Sequence, residues 1–198
     1  MNKNRKRSSK GAAEGSSAKT PKQSVTTANG QSRYSEELGR SIFLTVSEFE
    51  GKVYVHVRKY AKQEEQTYPT KVGAALTLIR WKTFENIIPN IRNSLNLNEE
   101  EYKAHIGGNW YVTVTPNFSN VDIRQFWLPP GENDVVATRK GISISKKEFN
   151  KLAGLVEEVK RAAPELERVQ QCLEREDHQN QLGALRCPEC NPTDYHNW

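Results

Sequence analysis

The chain has 198 residues with a formal net charge of +5, 35% hydrophobic residues and a mean hydropathy of −0.80. That size fits one ordinary domain or two small ones, and so polar a composition implies that part of the chain adds nothing to a core. No run nears the roughly 18 apolar residues of a membrane span, no apolar leader opens the chain, and the three cysteines all follow residue 170, so the expectation is a soluble intracellular protein without a disulfide framework.

Charge is distributed unevenly. Residues 1–22 carry seven Lys and Arg against one Glu, and residues 157–198 carry five against nine acids. A basic arm, a mildly basic centre and an acidic tail suit a protein that attracts phosphates at one end and along a local patch. Residues 1–40 are rich in Ser, Lys, Gly, Ala and Thr and read as a disordered basic arm, in which Lys3-Asn4-Arg5-Lys6-Arg7 suits a nuclear import signal or phosphate attraction.

From Ile42 the pattern alternates. Ile42, Leu44 and Val46 share one strand face, Glu50-Gly51-Lys52 reads as a hairpin turn, and Val53, Val55 and Val57 continue on the next strand. Tyr54, His56, Arg58 and Tyr60 then point to the opposite face. A further strand is expected over 71–76, and Thr77 caps a helix with Trp81, Phe84, Ile88, Ile91 and Leu95 at spacings of three and four. Pro89 is expected to kink or shorten that helix.

After a linker the order returns. Trp110, Val112 and Val114 alternate, strands follow over 121–127 and 139–144, and Ser145-Lys-Lys-Glu148 is a capping box before a helix with Phe149, Leu152, Leu155, Val156 and Val159 on its apolar stripe. Arg58 and Arg124 correspond at an offset of 66, whereas Gly73 and Gly141, and Thr77 and Ser145, correspond at 68. The chain is therefore an internal repeat. The expected fold is α+β: two copies of a curved antiparallel sheet followed by one helix, paired within the chain as a pseudo-dimer. The expected organisation is an arm over 1–40, repeats over 41–95 and 108–163 joined by a linker over 96–107, and an acidic tail over 164–198 with one short helix near Leu166, Val169 and Leu173.

Both repeats resemble the DNA-binding domain of the transcriptional coactivator family called positive cofactor four. In the second repeat, Asp122-Ile123-Arg124-Gln125-Phe126-Trp127 and Arg139-Lys140-Gly141-Ile142-Ser143-Ile144 reproduce the two blocks of that family. In the first, Val46-Ser-Glu-Phe49-Glu-Gly51-Lys52-Val53 is similar to its first hairpin. The resemblance implies single-stranded or melted DNA as partner, transcription-machinery proteins as further partners, and a nuclear, RNA polymerase II-type coactivator role. Without a phosphate-cradling glycine loop, a nucleophile elbow, a His-rich metal signature or a long apolar run, the sequence leads to no expectation of enzyme activity, cofactor, membrane or small-molecule substrate. The residues the resemblance assigns to the nucleic acid are Phe49, Lys52, Tyr54, Arg58, Tyr60 and Lys71 in the first repeat, and Arg124, Phe126, Trp127, Arg139 and Lys140 in the second. Arginine and lysine meet phosphates, and exposed aromatic rings stack on bases.

The repeats depart from the family in complementary ways. The first has Ala61 for Trp, Glu50 for Lys and Lys71-Val72 for Arg-Lys, and the hairpin of the second, over 116–120, is short and without a basic residue. Retained halves of each repeat are thus expected to share one composite groove. Two other readings stand beside DNA binding: a protein adaptor that kept the fold but lost most DNA contacts, and an RNA-binding protein. In the tail, Cys187 and Cys190 are spaced to grip zinc, with His196, His178 and Cys172 as completions. A metal-free tail is the expectation, and zinc on Cys187, Cys190 and His196 is its alternative.

Overall fold

The computed structural model describes residues 32–63, 66–178 and 181–193. The Lys3–Arg7 cluster, the rest of the arm to residue 31, and His196 lie outside them.

Each repeat is a four-stranded antiparallel meander followed by a helix. The first comprises β1 (Ser32–Gly39), β2 (Ile42–Phe49), β3 (Lys52–Gln63), β4 (Gln66–Thr77) and α1 (Leu78–Leu97), with strand order β1-β2-β3-β4. The second comprises β5 (Tyr102–Gly107), β6 (Trp110–Val114), β7 (Asn120–Trp127), β8 (Val136–Ser145), α2 (Lys146–Gly154) and α3 (Val156–Ala162), ordered β5-β6-β7-β8. Among the described residues no helix is long and apolar enough to cross a membrane.

The expected alternation sets the core. Leu44, Val46, Val55 and Val57 are fully buried beneath α1, whose Trp81, Phe84 and Ile91 are equally buried. Val112, Val121, Ile123 and Ile144 do the same in the second repeat with Phe149 and Leu152. The buried side chains of both repeats form one continuous core, because α1 packs on β5 and β6 as well as on its own sheet, and α2 and α3 pack on β1.

Five expectations are corrected. Residues 32–39 form the edge strand β1 rather than the end of a disordered arm, and the expected linker contains β5. The helix runs unbroken through Pro89, which is exposed, because the buried stripe from Trp81 to Leu95 holds both halves against the sheets. The second helix divides at Gly154–Leu155, leaving Leu155 and Val156 only partly buried. In place of one short tail helix stand 3-10 turns at Pro164–Arg168, Cys172–Glu174 and Glu176–His178, followed by α4 (Gln181–Arg186).

The helix starts also differ. Ser145 and Glu148 make the full capping box, but Thr77, although at the cap of α1, makes no side-chain cap bond. The return bond of such a box needs an acceptor side chain at the third helical position, where α1 has Arg80, and Thr77 Oγ1 is buried without a partner among the described residues.

Arg80 and Glu148 are equivalent at the offset of 68, and so are the β1–β2 turn residues Gly39-Arg40 and the β5–β6 turn residues Gly107-Gly108. Each turn meets the helix start of the other repeat. Arg40 Nε and Nη2 donate to Glu148 at 2.7 and 2.5 Å. At the equivalent seam Arg80 lies against Gly107 and Gly108, with no room for a turn side chain, and donates to both oxygens of Glu189 from the tail at 2.8 Å.

Candidate nucleic-acid interface

The hydrogen-bond frame around the two arginines is repeated atom for atom. Arg58 Nη1 donates to the Thr70 carbonyl at 2.6 Å, and Arg124 Nη1 to the Thr138 carbonyl at 2.9 Å. The hydroxyls of Thr70 and Thr138 donate to the carbonyls of Lys59 and Gln125, both at 2.7 Å. A register shift follows each arginine, between Arg58 and Tyr60 and between Arg124 and Phe126. Opposite each lies a glycine, Gly73 or Gly141, where an added Cβ would fall within 3 Å of the arginine's own Cα. The sheet closes tightly there, so the arginine's position on the open face is fixed by backbone.

The surroundings of the two arginines differ. On the first sheet the face opposite α1 carries a hollow of 490 Å³, and its lining comes wholly from the first repeat. Arg58, Lys71, Tyr54 and Phe49 supply charge and rings to it, and His56 and Ser47 form part of its wall. This hollow takes no lining residue from the second repeat, whereas the expected composite groove draws on both. At its rim, Phe49 and Lys52 pair across the β2–β3 hairpin, whose turn residues Glu50 and Gly51 have φ of 50° and 71°. Positive φ at both turn positions matches the tight hairpin geometry that follows strand twist. Phe49 is 45% exposed, Lys52 and Lys71 are exposed, and Tyr54 and Arg58 are half-buried.

His56 bonds Ser47 Oγ through Nε2 at 3.0 Å. Burial, assisted by the Arg58 charge, pushes its pKa down to about 4, so the ring is neutral at physiological pH. Arg58 then has an uncharged neighbour on its own strand.

In the second repeat the residue equivalent to His56 is Asp122, and Arg124 Nε and Nη2 donate to its two oxygens at 2.7 and 2.9 Å. The bidentate pair compensates the arginine's charge locally. Lys103 stands 4.7 Å from the Phe126 ring centroid and 5.3 Å from that of Tyr111, covering that face by cation–π contact. Trp127, Arg139 and Lys140 are exposed beyond it.

Two of the rings named from the sequence are not open for stacking. Tyr60 is 3% and Phe126 8% exposed, each packed on an equivalent neighbour: Phe43 at 4.9 Å and Tyr111 at 4.8 Å between ring centroids. Both follow the register shift on the inner strands β3 and β7. The sequence reading left out the roles of Thr70, Asp122 and Lys103. The Thr70–Thr138 match at the repeat offset, and an acid two residues before Arg124 on the same strand face, are the signals that reveal the first two.

In the tail, Cys187 and Cys190 lie with Cys172 and His178, whose ligating atoms are all within 4.8 Å of one another.

Comparison with known proteins addresses the first repeat. The family model described as Transcriptional Coactivator p15 (PC4) matches residues 37–87, which span part of β1, the strands lining the hollow and the first half of α1. The chain is 38% identical over 52 residues to the RNA polymerase II transcriptional coactivator KELP of Arabidopsis thaliana, covering 26% of this chain and 32% of that protein. It is 33% identical over 57 residues to a Caenorhabditis elegans protein named as an RNA polymerase II transcriptional coactivator, covering 28% of this chain and 46% of that one. The chain thus spans less than half the length of these curated relatives. No solved structure matches. The matched family is one of coactivators, not of enzymes. Residues 37–87 of this chain are therefore the segment that is similar to the p15 (PC4) coactivator family.

Proposed function

We propose that this protein is a nuclear coactivator of RNA polymerase II-type transcription that holds single-stranded or melted DNA on the open face of its first sheet, through Arg58, Lys71, Lys52, Tyr54 and Phe49. The observation that carries this reading is the hollow itself. It places basic groups beside accessible rings within the segment that matches the coactivator family. Phosphates meet the cations, and bases stack on rings at about 1–3 kcal/mol each. The second repeat, with Arg124 paired to Asp122, acts mainly as the pseudo-dimer partner of the first, contributing Trp127, Arg139 and Lys140 as peripheral contacts. Interlocked turns and helix starts and the continuous core support that pairing.

The test is binding of labelled single-stranded DNA, its duplex and the matching RNA at two salt concentrations. Preference for single-stranded DNA is expected, with Lys52→Ala/Lys71→Ala weakening it more than Arg139→Ala/Lys140→Ala and lowering the salt slope by about one for each phosphate contact removed. No binding at low salt refutes the reading and favours a protein adaptor, whereas equal or tighter RNA binding favours the RNA alternative.

A further inference from the structure

We infer that Cys172, His178, Cys187 and Cys190 form a structural zinc site that locks the tail across the seam between α1 and the second sheet. Three sulfurs and one imidazole nitrogen lie within 4.8 Å of one another, although the chain places Cys172 fifteen residues from Cys187. Tetrahedral zinc with Zn–S bonds of about 2.3 Å sets its sulfurs about 3.8 Å apart, and Cys172 Sγ and Cys187 Sγ are 3.9 Å apart. A small contraction of the remaining pairs closes the shell. Four protein ligands leave no open position, which marks a structural rather than a catalytic ion, and three thiolates with one imidazole suit zinc.

His178 supplies an independent observation. Its Nδ1 is held by Asp177 Oδ1 at 2.7 Å, while Nε2 is buried, has no nitrogen or oxygen partner among the described residues and lies beside the Cys187 thiol. A carboxylate on one ring nitrogen fixes the tautomer that leaves the other free to ligate, the usual support of a metal-bound histidine. The local fold serves the same geometry. A Cβ on Gly183 would overlap the Asp177 carbonyl, so α4 closes directly onto the turn that carries His178. The amides of Cys190 and Asn191 donate to the Cys187 carbonyl at 3.1 and 2.8 Å, curling the Cys-x-x-Cys loop.

The loop's location explains what the ion would accomplish. Glu189, between the two loop cysteines, binds both Arg80 nitrogens, and its carbonyl accepts from the Gly108 amide at 2.8 Å. Upstream, Lys82 reaches the Val169 carbonyl at 2.6 Å, and Asn86 reaches Gln171 at 3.0 Å. The tail thus runs along α1 and ends at the seam where the first helix start lacks a carboxylate of its own. Zinc would hold Glu189 in that place.

The experiment is metal analysis of the full chain, followed by cobalt(II) titration of protein stripped with a chelator. One zinc per chain is expected, with cobalt giving the visible bands of a tetrahedral thiolate site. Cys187→Ser should lose the metal and His178→Ala should weaken zinc by at least about 100-fold, more than loss of a supporting outer partner costs. Glu189→Gln and His196→Ala should retain one equivalent, which separates the ligand set from the seam contact and from the other histidine. Substoichiometric zinc, iron in its place, a Cys187–Cys190 disulfide in the purified protein, or loss of the cobalt bands in His196→Ala would overturn the inference.

Discussion

Replacing Arg40 by alanine tests how the two repeats depend on each other. Glu148 is buried at the start of α2 and accepts from Arg40 twice, from the Ser145 amide at 2.8 Å and from the Ser145 hydroxyl at 2.9 Å. The Arg40 guanidinium, aided by Ser145 and opposed by burial, holds the Glu148 carboxyl at about 2 instead of 4.5. At about 1.4 kcal/mol for each tenfold change, that displacement bounds its contribution at about 3 kcal/mol. The Arg40 side chain is 64% exposed, so water screens the pair, and a loss of about 2 kcal/mol at neutral pH is expected. A carboxyl whose pKa falls on folding stabilises above its unfolded pKa and loses that contribution as pH falls through its folded pKa. The difference between wild type and Arg40→Ala should therefore be full above about pH 5 and shrink progressively toward about pH 2. Urea unfolding at a series of pH values measures it, with the midpoint moving while the slope stays constant. A cost below about 0.5 kcal/mol at neutral pH, or a cost independent of pH across that window, would refute the assigned role of the pair.

Three further expectations follow from the two sheet faces. Asp122→Ala should release the Arg124 guanidinium, tightening single-stranded DNA binding and steepening its salt dependence by about one contact; an unchanged slope counts against charge compensation by Asp122. Gly141→Ala would set a Cβ 2.6 Å from the Ile123 carbonyl, and it should cost about 1–3 kcal/mol in chemical unfolding, with tolerance arguing that the β7–β8 approach is looser than described. His56 is held neutral by burial with a pKa of about 4, so its contribution to stability is complete above about pH 6.5 and declines as pH falls toward 4. His56→Gln should flatten the stability profile in that interval, and an unaltered profile would place the acid sensitivity elsewhere.

The two sheets were legible because Leu44, Val46, Val55 and Val57, and their counterparts around Ile123, alternate strictly, and only a strand puts such residues on one face. β1 was hidden: of Ser32–Gly39 only Leu38 is buried, and the strand is held by pairing to β2 and by α2 and α3 of the other repeat, neither of which leaves an apolar period. β5 was hidden for the same reason, with Ile106 its single buried residue. Of the proposed site, Arg58 and Lys71 were legible because their residue types suit phosphates on an open face. The neutralisation of Arg124 depends on a rotamer choice by Asp122, and the burial of Tyr60 and Phe126 on register shifts that sequence spacing does not record. The Cys-x-x-Cys pair was visible, but choosing between His178 and His196 required knowing how the tail lies along α1.

The unlike seams bear on which partner each repeat accepts. If two copies of the first repeat met in the arrangement the two repeats adopt here, Arg40 of one would face Arg80 of the other, setting like charges together at both contacts. Two second repeats would place Gly108 against Glu148 and leave that carboxylate without a cation. Only the mixed pairing gives Glu148 its arginine, and it leaves Arg80 open to the tail. The unlike residues at these two equivalent positions thus make two distinct surfaces in place of one self-complementary surface, which favours closure between unlike repeats of one chain over assembly through like repeats of neighbouring molecules.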